Sequence, residues 1–116
     1  MKKIIAMIGL VTMLAFSASA ASRYVNIISF TTNLWFNGKT AVCEVDVTAQ
    51  KSIELLVYLK DSDGLVLEEW NCSDAGGSIS FSESCPGMKS GERYTLTATA
   101  RSGGESVTKT STATCP

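Results

Sequence analysis

Tyr94-Thr95-Leu96-Thr97-Ala98-Thr99-Ala100-Arg101-Ser102-Gly103-Gly104-Glu105 is the stretch on which the fold turns. Tyr94, Leu96, Ala98 and Ala100 alternate with Thr95, Thr97, Thr99 and Arg101, the period of two that sends one set to a core and the other to water. Threonine suits the wet side because β-branched residues fit a pleated, half-exposed surface. Gly103-Gly104 reverses the chain, and Glu105 to Thr114 reads as the partner strand, with Val107 and Ala113 sharing parity with Cys115.

Working outward, the same pattern recurs between turn signals, and no helical periodicity competes with it. Tyr24 to Phe36 reads as a first, broken strand. Asn37-Gly38 is a strong hairpin signal, with both residues expected at positive φ, and Thr40 to Thr48 returns with Ala41, Cys43, Val45 and Val47 on one face. Ser52 to Lys60 is apolar on both faces, which predicts a central strand. Asp63-Gly64 turns into Leu65 to Trp70, and Gly76-Gly77 precedes Ser78 to Ser84, where Ile79 and Phe81 alternate with serines. The expectation is all-β: a seven-stranded antiparallel two-sheet sandwich forming a single domain over residues 21–116.

Residues 1–20 have the composition of an export signal. Lys2 and Lys3 form a positive start, Ile4 to Phe16 an apolar core, and Ala18-Ser19-Ala20 a cleavage site, with the cut after Ala20 or Ala21. The apolar run falls short of the roughly 20 residues that cross a bilayer. The expectation is a secreted protein with no membrane attachment after the signal is removed. Loss of Lys2 and Lys3 takes the formal net charge from −1 to −3. A nucleic-acid partner is therefore not expected, because displacing counterions from phosphates needs a basic face.

Cys43, Cys72, Cys85 and Cys115 are an even set in a small exported chain, which reads as two disulfides. A zinc site would need ligand spacing such as Cys-x-x-Cys, and none occurs. Four cysteines allow three pairings; proximity favours Cys72–Cys85 with Cys43–Cys115.

The chain has no histidine, which removes His-based triads and most catalytic zinc sites. Asp61-Ser62-Asp63-Gly64 opens like a calcium loop but continues into the apolar Leu65-Val66-Leu67, so a tight turn is expected. Asn71-Cys72-Ser73 matches a glycosylation sequon, which matters only in a eukaryotic secretory route. Neither a catalytic residue nor a cofactor is expected. Of the two tryptophans, Trp70 reads as core. Trp35, of opposite parity to Leu34 and Phe36, is the candidate binding surface, suited to stacking on a sugar or anchoring a protein.

Gly91-Glu92-Arg93-Tyr94-Thr95-Leu96-Thr97-Ala98 resembles the start of the sixth strand in fibronectin type III and immunoglobulin-like domains, where a tyrosine corner bonds back to the upstream backbone. Gly38-Lys39-Thr40-Ala41-Val42-Cys43 resembles the second strand of such sandwiches. The series Gly38…Cys43, Leu59, Trp70, Ser78-Ile79-Ser80 and Gly91…Tyr94 is also similar to small secreted single-domain proteins of Gram-positive, clostridium-type bacteria. The resemblance implies a structural tyrosine corner at Tyr94. The immunoglobulin core disulfide is not carried over, because no cysteine stands near Leu96. The expected function is a non-enzymatic binding module for a protein or glycan. The alternatives are a bacteriocin-like effector, or a small hydrolase inhibitor presenting the Cys72–Cys85 segment.

Overall fold

A computed structural model describes residues 25–116; the expected export signal, residues 1–20, lies outside the described residues. Seven strands follow one another: β1 (Ile27–Asn37), β2 (Thr40–Ala49), β3 (Ile53–Lys60), β4 (Val66–Asp74), β5 (Ser78–Cys85), β6 (Arg93–Ser102) and β7 (Glu105–Thr114). They form two antiparallel sheets, β1-β2-β5 and β4-β3-β6-β7. β3 is internal to its sheet, as its two-faced apolar pattern requires. β4 continues past Trp70 to Asp74, four residues beyond the strand expected from the pattern.

The period of two becomes a two-sided core. Phe30 and Leu34 of β1, Ala41, Cys43, Val45 and Val47 of β2, and Ile79 and Phe81 of β5 face Ile53, Leu55, Val57 and Leu59 of β3 and Tyr94, Leu96, Ala98 and Ala100 of β6. Small alanines on β6 sit beside larger aliphatics of β3 in the same sheet, Ala98 next to Val57 and Ala100 next to Leu55.

The β1–β2 hairpin is shifted by one residue from the sequence expectation. Asn37 pairs with Thr40, so the two central residues are Gly38 and Lys39, not Asn37 and Gly38. Gly38 has φ +62°, and glycine at the first central position is the signature of a type II′ turn.

One flank of the sandwich is laced by side chains. The Glu105 carboxylate accepts the N–H groups of Asn26 at 2.8 Å and Ile27 at 3.0 Å, and that of Val25 as well. The Asn26 amide donates to the Gly103 carbonyl, and the Leu34 N–H donates to Ser111 Oγ at 3.1 Å. These bonds fasten β1 along β7 although the strands belong to different sheets.

Candidate functional site

The outer face of β1-β2-β5 presents four cross-strand rows, fixed by register: Ser29–Thr48–Ser78, Thr31–Asp46–Ser80, Asn33–Glu44–Ser82 and Trp35–Val42–Ser84. Hydroxyls, an amide and two carboxylates cover three rows, and an indole stands over the fourth. Trp35 is 44% exposed because it alternates with the buried Leu34 on β1. Its Nε1–H donates to Glu44 Oε1 at 3.3 Å. Two polar pairs satisfy each other: Ser29 with Thr48 at 2.6 Å, and Ser80 donating to Asp46 at 2.8 Å. Asn33, Ser82 and the second Glu44 oxygen lie next to the indole in the adjoining row. This face can stack a ring on Trp35 and hydrogen-bond its hydroxyls from the row beside it.

A concavity of about 550 Å³ lies on the outer face of the other sheet around Leu56, Tyr58 and Thr99. There Glu54 stands opposite Arg101 in register, and Lys60 Nζ sits 5.8 Å from the centre of the Tyr58 ring. Its charged groups face one another, which leaves less for a ligand.

Tyr94, on the inner face of β6, is buried, and its ring meets Phe36 at 5.7 Å, tilted by 53°. The phenol oxygen accepts the Lys89 N–H at 2.8 Å, five residues upstream. That bond to the upstream backbone is the one a tyrosine corner makes.

The cysteines stand as four free thiols, with Cys43, Cys85 and Cys115 buried and Cys72 half-buried. The pairing Cys72–Cys85 expected from proximity does not fit the strands. Trp70 of β4 meets Phe81 of β5 at 5.2 Å; from that level Cys72 lies two residues toward the connecting turn and Cys85 four residues away from it. Six residue steps place them roughly 20 Å apart, against the ~7 Å limit for bridging. Cys43 faces Glu83 in register, two residues along from Ala41 opposite Cys85, which sets Cys43 and Cys85 diagonally across the β2–β5 ladder. Burial first, then Cys85 and Glu83, push the Cys43 thiol up to about 12. It stays protonated and is a poor nucleophile at neutral pH.

The Asp61-Ser62-Asp63-Gly64 segment is a turn, as expected. Asp61 Oδ1 accepts the N–H groups of Asp63 at 2.9 Å and Leu65 at 3.0 Å, and Gly64 takes φ +85°. Among the described residues no group of three or more His, Cys, Asp or Glu side chains is placed to hold a metal ion.

The sequence matches no protein-family model and no curated protein. Solved structures do share its architecture. A β-glucuronidase from Parabacteroides merdae superposes on 77% of the chain with a TM-score of 0.57 at 9% identity. OgpA from Akkermansia muciniphila, catalytically inactive and in complex with an O-glycopeptide substrate, superposes on 76% with a TM-score of 0.52 at 14% identity. The likeness is one of fold. The superposed region is 13% of the glucuronidase chain and 28% of the OgpA chain.

Proposed function

We propose that this chain is a secreted, non-catalytic binding module of the immunoglobulin/fibronectin III-like class, which takes a glycan on the outer face of β1-β2-β5. The class is supported by the sheet order β1-β2-β5 and β4-β3-β6-β7 and by the Tyr94 hydroxyl bonded to the upstream backbone. The single observation that carries the function is Trp35. A large apolar ring stands 44% exposed on the outer face, bonded to Glu44 beside a row of hydrogen-bonding groups, where a buried position would have stabilised the fold more. Pyranose rings present an apolar face and a fringe of hydroxyls, and this surface offers the matching pair. The non-catalytic reading rests on a chain without histidine and on a flat face that does not exclude water.

The test is retention on a panel of immobilised polysaccharides. Trp35→Ala should weaken retention on the bound glycan by ~2 kcal/mol or more, the range of an anchoring aromatic, while the unfolding midpoint changes little. Glu44→Gln should weaken it less. Equal retention of Trp35→Ala and the parent on every glycan captured would refute the site.

A further inference from the structure

The two flanks of the sandwich are built differently. Glu105 and Ser111 lace β1 to β7, whereas β4 and β5 are outer strands of their sheets. Among the described residues no backbone hydrogen bond joins β4 to β5 beyond their connecting turn. An edge strand carries a row of unpaired N–H and C=O groups, which soluble proteins commonly blunt with lysine, proline or a covering segment. β4 is nine residues long with neither lysine nor proline; its charges, Glu68, Glu69 and Asp74, guard the edge against an acidic strand and leave it open to a basic one.

Between these edges runs a groove of about 220 Å³. Leu67, Trp70 and Met88 make an apolar floor, with the Trp70 ring edge-on to Phe81. Glu68 of β4 and Glu83 of β5, both exposed, make the rim, and no lysine or arginine lines it. Leu65 and Val66, 62% and 42% exposed, prolong the apolar track at the start of β4. The imbalance of charge is wider than the rim. From Asp61 to Met88 the chain carries Asp61, Asp63, Glu68, Glu69, Asp74 and Glu83, and no cation.

We propose that the β4–β5 seam docks an extended basic polypeptide segment, which adds alongside β4 and lays lysine or arginine side chains over Trp70 between Glu68 and Glu83. Main-chain bonding to an open edge supplies affinity, and alternate side chains supply selectivity. Lysine and arginine fit both parts of the groove, since their aliphatic stems cover apolar surface while their heads reach carboxylates. The indole favours the same cations. A second copy of this chain is the wrong occupant, because its own acidic edge would set Glu68 and Glu69 against like charge. The seam lies on a different surface from Trp35, so the two proposals stand or fall separately.

The probe is a short, end-blocked peptide of alternating lysine and valine, titrated at low ionic strength into isotope-labelled protein and followed by NMR. Amides of residues 66–74 should shift and exchange more slowly, while those of residues 31–35 stay in place. The double variant Glu68→Gln/Glu83→Gln should bind about five- to tenfold more weakly, the loss expected for two exposed ion pairs. Glu44→Gln should bind as the parent does, and added salt should weaken binding. The proposal is overturned if the shifts map elsewhere or if the double variant binds undiminished. It is equally overturned if a peptide of alternating glutamate and valine binds as well, or if sedimentation shows the protein pairing with itself through β4.

Discussion

Replacing Tyr94 by phenylalanine removes one oxygen and leaves the ring. In the folded protein that oxygen accepts the Lys89 N–H at 2.8 Å in a partly buried position, so the variant loses the bond and strands a donor. The expected loss is about 1 kcal/mol, rising toward 3 if water cannot reach the Lys89 amide. For a domain of this size each kcal/mol lowers the midpoint by roughly 4–8 °C. Tyr94→Ala also empties the site against Phe36. The ring is buried and packed at 5.7 Å, so a further ~3–5 kcal/mol is expected from the large-to-small change. Urea unfolding followed by circular dichroism reads both values, provided the slope with denaturant is unchanged. The reasoning fails if Tyr94→Phe lies within about 0.3 kcal/mol of the parent, below the smallest contribution assigned to such a bond. It also fails if Tyr94→Ala costs no more than Tyr94→Phe.

The Glu105 carboxylate is held below its ordinary value of 4.5 by the N–H of Val25 first, and then by those of Ile27 and Asn26. A depressed folded value means stability that is present above pH 4.5 and disappears as pH falls through the folded value. The stability gap between the parent and Glu105→Gln should therefore be full at neutral pH and close in acid; a gap of constant size in urea titrations across pH 2.5–7 would contradict this. Gly77 and Gly38 both have positive φ, but only Gly77 is crowded: a Cβ there would lie 2.6 Å from the Ala49 carbonyl oxygen, whereas Gly38 has open space. Gly38→Ala should cost about 1–2 kcal/mol from conformation alone, and Gly77→Ala clearly more; equal losses in thermal unfolding would show that the backbone contact does not matter.

The strands were legible because one signal, alternation of apolar and polar residues between glycine turns, governs both which residues pair and which face the core. The end of β4 was not, because Asn71-Cys72-Ser73-Asp74 has no apolar alternation; it is strand because it pairs with Ile53 to Leu56 of β3. Trp35 could be placed from parity alone, and its partner Glu44 follows from the hairpin register, which sets Asn33 opposite Glu44. Nearness of cysteines in sequence does not carry over to the fold, for a topological reason. Cys72 and Cys85 are close in sequence, but the turn at residues 75–77 carries the chain from one sheet to the other and sends the two away from each other. The acidic run from Asp61 to Met88 was in plain view, yet only the sheet order gathers Glu68 and Glu83 along one seam.

The order of strands also governs when the molecule can fold. β2 finds its second neighbour only in β5, and β3 finds its second only in β6, so each sheet is completed by a segment distant in sequence. A chain that has emerged as far as Asp74 holds two hairpins, β1–β2 and β3–β4, and isolated hairpins are marginal in water. The four-stranded sheet gains its third strand only when residues 93–102 arrive. Such non-local pairing makes folding slow. It also leaves both sheets incomplete until β5 and β6 have emerged.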